Sequence, residues 1–438
     1  MNARFLAAAL VLSLTAAAPP RDPRIVAFIG VVSAANLRHS VDTLVGFGTR
    51  NDFSDQTSTP THGVFGARDW IVKQFQAIAT TSGGRLTVRT DDYLQAKTAR
   101  TPRAVQESSV VATLQGDEPG RIYVLSSHYD DCDGDCTDGL GVAPGADDNG
   151  SSVAAVIEAA RILAPHHFRG TIMFVCFDGE ELGLWGSGHL ADELKAAHAP
   201  ILAVLNNDII GNSLGGDGQH EHNVVRVFSE AVPAGSKDEA INAVGSENDS
   251  PSRELARFIG ETVPVYLPGF HVRQIFRADR FLRGGDQESF QADGFAAIRF
   301  VEPHENFTHQ HQNVRVENGV QFGDLPQYND YDYLAQTTRA NIAVLATLAL
   351  GPAPPGNVQM VVRHLGYDTT LRWTAAANAT AYDVVWRATD ATQWQHAQRV
   401  SGLTATVPLS KDDYIFGVRS VDADGLRSPA VYPLPTRE

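Results

Sequence analysis

The stretch TIMFVCFDGEE, residues 171–181, joins a seven-residue strand-like run to two adjacent carboxylates. A near-continuous apolar run of this length, closed by a glycine-containing turn, reads as a strand buried on both faces. Two neighbouring side chains that leave a strand end point in different directions. One of Glu180 and Glu181 can therefore bind a metal while the other handles protons, the division of labour a hydrolytic metal site needs. Paired glutamates are ordinarily solvated surface. The segment gains weight from four other ligand-type segments placed along the chain.

The chain has 438 residues, enough for two or three domains, and 43% hydrophobic residues supply a sizeable core. The formal net charge of −16, with no basic cluster, excludes a nucleic-acid partner and does not favour an anionic membrane surface. Residues 1–18 read as a signal peptide: Arg4 gives the positive start, 5–16 an apolar run too short to span a bilayer, and 16–18 are alanines. The mature protein is thus expected to be exported, periplasmic or extracellular, with no integral membrane span. Of three cysteines, Cys132 and Cys136 share the loop DCDGDC at 131–136, where an oxidising compartment favours a disulfide over a zinc knuckle. Cys176, inside an apolar strand, reads as a small core residue.

Residues 24–351 alternate strand and helix patterns. Strands are predicted at 86–94, 108–115, 121–127, 171–177, 201–206 and 295–301, and helices at 68–81, 150–164, 190–197 and 331–350. The pattern implies an α/β fold, a mainly parallel mixed sheet flanked by helices on both faces. Residues 214–267, polar and glycine-rich, read as an excursion from this core, a cap or insertion. GPAPPG at 351–356 is a linker by composition, with 352–356 between domains. Residues 357–438 carry about seven short strands at sandwich-like spacing, with Trp373 at a core position, and imply a small all-β sandwich.

The ligand-type segments follow predicted strands or sit in loops between elements, where open α/β sheets build their sites. SSHYD at 126–130 offers His128 as a nitrogen ligand, with Asp130 placed to fix its tautomer. APGADDNGS at 143–151 offers Asp148, with Asp147 as a rival; the cluster is also what a helix cap looks like, and its NGS glycosylation match is expected to be false. Glu180 and Glu181 come third, and Asp208 in LNND at 205–208 fourth. ENFTHQH at 305–311 offers His309 or His311, with His304 a third possibility. Nitrogen and oxygen ligands without thiolate suit a catalytic Zn²⁺ site. One ion would take His128, Asp148 and Asp208. The other would take Asp148, Glu181 and His309, leaving Glu180 free as the general base.

Residues 108–350 resemble metallopeptidase family 28, the di-zinc aminopeptidases. The resemblance is carried by HYD at 128–130, PGADDNGS at 144–151, FDGEELGLWGS at 177–187, NND at 206–208, GGDQESFQADGFAAIRF at 284–300 and ENFTHQHQ at 305–312. It implies a zinc-exopeptidase-like fold and two Zn²⁺ ions per chain held by His128, Asp148, Glu181, Asp208 and His309. It also implies Glu180 as general base, Asp130 as the residue orienting His128, and a cis peptide between Asp148 and Asn149. The last-ligand segment lacks the commoner Tyr-His-Thr form, and Gly285-Asp286-Gln287 stands where many members read Ser-Asp-His. In the tail, DVVWR at 383–387 and YIFGVRSVDADG at 414–425 resemble fibronectin type III domains, which implies a sandwich with no chemistry of its own.

The expected activity is that of an exported exopeptidase, most simply an aminopeptidase acting on peptide or protein substrates. A carboxypeptidase or glutaminyl cyclase on the same scaffold is the second possibility. A non-catalytic binding protein, working through its C-terminal domain on a polymer or surface, is the third.

Overall fold

The computed structural model describes residues 21–232 and 248–437. The expected leader at 1–18 and residues 233–247 of the supposed insertion lie outside the described residues. The chain divides into a larger unit ending at Gly351 and a smaller one beginning at Pro352.

The larger unit is built on an eight-stranded sheet: β1 (Leu86–Gln95), β2 (Val105–Leu114), β3 (Glu118–His128), β4 (Gly170–Phe177), β5 (Ile201–Asn207), β6 (Val224–Ser229), β7 (His271–Ile275) and β8 (Ala297–Val301). Its order is β1-β2-β4-β3-β5-β8-β6-β7. The central strands β4, β3, β5 and β8 run parallel, as do β6 and β7. The pairs β1–β2, β2–β4 and β8–β6 are antiparallel. Every residue of β4 is buried, which is why its sequence reads as an apolar run rather than an alternation.

Helices cover both faces. Met173, Val175 and Phe177 share a core with Leu190, Ala191 and Leu194 of α6 (Trp185–Ala196) and Phe290 of α8 (Gln287–Ala292). Strand alternation turns Ile172, Phe174 and Cys176 the other way. On that face β3 and β4 meet α4 (Gly150–Leu163) and the long α9 (Tyr331–Leu350). Among the described residues the other α-helices are α1 (Pro23–Gly30), α2 (Ala34–Val45), α3 (Gly63–Ala79), the one-turn α5 (Glu180–Gly183) and α7 (Pro251–Tyr266).

Reading 214–267 as an excursion from the core is corrected here. Its strand β6 lies inside the sheet between β8 and β7, with Val225, Val227 and Phe228 buried, and α7 packs against β6 and β8. The short strand was hidden because polar, glycine-rich turns flank it.

The smaller unit has seven strands: β11 (Gly356–Val361), β12 (Thr369–Thr374), β13 (Ala381–Ala388), β14 (His396–Val400), β15 (Thr404–Val407), β16 (Tyr414–Val421) and β17 (Leu434–Thr436); β9 (Arg315–Glu317) and β10 (Val320–Phe322) form a hairpin before it. Sheets of order β15-β12-β11-β17 and β14-β13-β16 share one core that includes Leu371, Trp373, Val384 and Phe416. Ahead of β17, Val431 makes an isolated bridge to Val418. Cys132 and Cys136 form a disulfide and Cys176 is a buried free thiol.

Arg50 braces the loops on which the site depends. It is wholly buried, and its guanidinium donates to the carbonyls of Tyr129 (2.6 Å), Pro144 (2.9 Å) and Gly145 (2.9 Å) and pairs with Asp131 at 3.1 Å. Burial pushes the Asp131 carboxyl up to about 7 in spite of that partner. A single side chain thus ties the segment after β3 to the segment before α4. Arg50→Ala strands Asp131 without its cation, and the expected loss is about 3–5 kcal/mol in chemical denaturation. Arg50→Lys is not expected to restore it, because an ammonium lacks the planar fork that reaches three carbonyls. A loss under about 1 kcal/mol would remove Arg50 from this role.

Candidate metal centre

His128 is the last residue of β3, and Asp208 follows directly on β5. Glu180 and Glu181 open α5 just beyond β4, and Asp148 ends the loop before α4. Adjacent parallel strands thereby deliver their carboxyl ends to one place. The turn at Gly179 has φ +72°, and an added Cβ would meet Glu107 Oε2 at 2.7 Å, so only glycine fits there. Ile209, directly after Asp208, has φ +61°, a strained conformation for a β-branched residue. Its N–H donates to Asn149 Oδ1 and the Asn149 amide donates to the Asn207 carbonyl, so Asn149 is buried and fully engaged, and closed to a glycan. The Asp148–Asn149 peptide bond is cis.

Asp148 stands between two histidines. Its Oδ1 lies 3.4 Å from His128 Nε2, and its Oδ2 lies 3.1 Å from His311 Nε2. Asp208 Oδ1 is 3.7 Å from His128 Nε2, and Glu181 Oε2 is 3.0 Å from His311 Nε2. His128, Asp148 and Glu181 bring ligand atoms within 4.8 Å of one another, as do His128, Glu180 and Asp208. On the far side of the His128 ring, Nδ1 is 3.3 Å from Asp130 Oδ1, and Asp130 Oδ2 accepts the Glu181 N–H at 3.0 Å. Asp130 therefore fixes both the imidazole and the carboxylate loop.

The electrostatics are those of a site that wants cations. Against the burial that would lower it, Glu180, Asp130, Asp148 and Asp208 hold His128 well above its usual range. Glu181, against burial, does the same to His311 together with Asp148. Burial would raise the Asp148 carboxyl, but the His128 and His311 imidazoles beside it hold it well below the usual range. His128 Nε2 and Glu181 Oε1 are buried without a hydrogen-bond partner. Unpaired lone pairs converging on a pocket of carboxylates fit divalent metal.

The structure corrects the fifth ligand. His309 turns away: its ring stacks on Tyr328 at 3.8 Å, the Asn306 amide donates to its Nε2, and burial lowers it to about 4. His311 takes the place beside Asp148 and Glu181. It does so in a left-handed conformation, φ +51°, which turns its side chain out of the register that loop spacing suggests. His304 is held elsewhere by Asp217 and Glu221, both at 3.1 Å. Asp147 Oδ1 accepts the Gly211 N–H at 2.7 Å, facing away from the histidines.

Two supporting residues escaped the sequence reading. Asp324 accepts the N–H groups of Asp147 and Asp148, shaping the loop from below, and nothing in its local sequence signals this. Arg299 is fully buried and contacts Asp208 Oδ2 at 2.9 Å, which leaves Oδ1 to face His128. A lone arginine in the apolar strand AAIRFV could have flagged it. The cleft over the centre has a volume of about 640 Å³, and Arg280, Arg283 and Glu288 line its wall.

A model of Peptidase family M28 matches residues 109–318. A probable zinc metalloprotease of Leptosphaeria maculans is 43% identical over 95% of this chain and 98% of its own length. One of Pyricularia oryzae is 44% identical over 94% of this chain and 85% of its own. The LapA aminopeptidase structure of Legionella pneumophila shares the fold, with 18% identity and a TM-score of 0.54 over 80% of this chain and 77% of that one. So does a glutaminyl cyclase of Macrostomum lignano, with 16% identity and a TM-score of 0.54 over 77% and 95%.

His311→Ala is expected to weaken Zn²⁺ affinity at least ~10-fold in a chelator-competition titration, and His309→Ala to leave it unchanged. The reverse ranking would return His309 to the centre.

Proposed function

Because the chain belongs to peptidase family M28, we propose that it is a zinc-dependent exopeptidase, an aminopeptidase that removes residues from free peptide N-termini. The observation that carries this reading is Asp148, with one carboxylate oxygen toward His128 and the other toward His311. His128, Asp208 and Asp148 Oδ1 would hold one Zn²⁺; Glu181, His311 and Asp148 Oδ2 would hold a second. When bound, such a pair polarises a carbonyl and makes water acidic enough to attack near neutral pH.

Glu180 is the carboxylate left for proton work. Burial raises it well above its usual range, and cations held beside it would lower it again, leaving a carboxylate that can accept a proton near neutral pH. It would take the proton of the attacking water and hand it to the departing amine. Asp130 keeps His128 in one tautomer and, through the Glu181 N–H, keeps the Glu180–Glu181 turn in place.

The cleft wall carries both signs of charge: Glu288 is half-buried there, and Arg100 stands exposed on the same wall as Arg280 and Arg283. Arg280 is spent on Asp279 and Glu305, Arg283 on Gln310 and Glu305, and Arg299 on Asp208 and Asp279. Glu288, half-buried on the same wall, is available to an α-ammonium. The fold is shared with glutaminyl cyclases and does not itself decide the reaction; the paired ligand sets support hydrolysis.

Glu180→Gln is expected to keep its metal and lose turnover of aminoacyl p-nitroanilides on the order of 10²-fold or more. Wild-type protein should release p-nitroaniline only from substrates with a free amino group, and lose that activity to a chelator. Undiminished turnover by the variant would remove Glu180 from the chemistry, and equal cleavage of N-acetylated substrates would remove the aminopeptidase reading.

A further inference from the structure

Asp178, the first acid of the DGEE segment, has no part in the zinc reading. It belongs to a second cluster at the carboxyl end of β4. Asp52, on the 3-10 turn Asp52–Ser54, Glu107 in β2 and Asp178 after β4 bring ligand oxygens within 4.8 Å of one another. Their exposures are 2%, 0% and 0%. Asp52 Oδ1, both oxygens of Glu107 and Asp178 Oδ1 are buried without any hydrogen-bond partner, and so is the hydroxyl of Tyr93 in β1. Among the described residues no arginine, lysine or histidine pairs with any of the three acids. The nearby guanidiniums are committed: Arg103 to Asp55, and Arg68 to Asp69 and Ser108 Oγ.

Three buried carboxylates cannot all ionise beside one another without a counter-charge. Either they hold protons or they hold a cation. Two features favour the cation. The carboxylate oxygens come from three separate chain segments and converge within 4.8 Å, and a proton shared between Asp52 and Asp178 still leaves both oxygens of Glu107 without a partner. They are also all hard oxygen donors: three anionic groups and a phenol, with no imidazole or thiolate, a set suited to neither zinc nor copper. An enclosed protein cage with several carboxylate oxygens suits Ca²⁺, while Mg²⁺ is reluctant to shed its water.

We propose that Asp52, Glu107, Asp178 and the Tyr93 hydroxyl form a structural Ca²⁺ site beside the zinc centre. Its place explains its use. Asp178 stands two residues before Glu180, its Oδ2 accepts the Ser108 N–H at 3.0 Å, and the Gly179 turn lies against Glu107. A cation there ties β1, β2 and the N-terminal 3-10 turn to the loop that carries the base. Without it, burial pushes Glu107 up to about 10 and Asp178 up to about 7.

The test uses the full-length, zinc-loaded protein. Ca²⁺ at about 100 times its Kd is expected to raise Tm by roughly 5 °C. Tb³⁺ is expected to bind one site with luminescence sensitised by Tyr93, to be displaced by Ca²⁺, and to be left in place by Zn²⁺. Glu107→Gln should abolish both effects with zinc content unchanged, and Tyr93→Phe, which keeps every carboxylate, should dim the Tb³⁺ signal. If wild-type protein shows neither a Ca²⁺-dependent Tm nor single-site Tb³⁺ binding, the acids are held by protons alone and the site does not exist. Retention of both effects in Glu107→Gln would place the cation elsewhere. Displacement of Tb³⁺ by Mg²⁺ but not Ca²⁺ would overturn the choice of ion. Zinc content is read separately, so failure here leaves the peptidase reading untouched, and failure of that reading leaves this one standing.

Discussion

Everything at the centre depends on one carboxylate being shared. Asp148 is buried and turned so that its two oxygens face opposite histidines, His128 and His311. A carboxylate in that position costs several kcal/mol to desolvate unless positive charge stands on both sides. The rest of the unit supplies the geometry that makes this tolerable. Asp324 accepts the backbone N–H groups on which Asp148 is mounted, and Asn149 locks the next residue against the end of β5. Arg50 fastens the same loop to the segment that follows His128. The site is therefore rigid because it is braced by buried polar bonds from several directions, not because it is packed in apolar side chains.

The surplus of acid around that centre has a consequence for how the protein is held together. His128 and His311 are both driven toward protonation by their carboxylate neighbours. Protons there occupy the places that divalent ions would take, so metal binding and proton release must be linked. The same logic extends beside the centre to Asp52, Glu107 and Asp178, where no histidine is present to carry the proton. Two acidic layers, one with nitrogen ligands and one without, sort soft and hard cations by donor type.

Much of this was legible in the residues. Parallel strands buried on both faces announce themselves as apolar runs, and β3, β4 and β5 were found within about three residues of their observed ends. His128, Asp208, Glu180 and Glu181 were legible because each sits where such a run stops. Strand β6 was not, because six residues inside a polar, glycine-rich stretch carry too little pattern to outweigh their flanks. The choice between His309 and His311 was not legible either. It turns on a left-handed backbone at His311 and on a stacking partner, Tyr328, that comes from a later turn. Arg299 lay in plain view as a charge inside an apolar strand, and its partner Asp208 is 91 residues away, at the end of the neighbouring strand.

The shared carboxylate is tested most directly by anomalous diffraction from zinc-loaded crystals, with data taken on both sides of the zinc absorption edge. The account requires two peaks about 3.5–4 Å apart flanking Asp148. One should be bounded by His128 and Asp208, the other by Glu181 and His311. A single peak, or a second one coordinated by His309 with His311 left free, would contradict it.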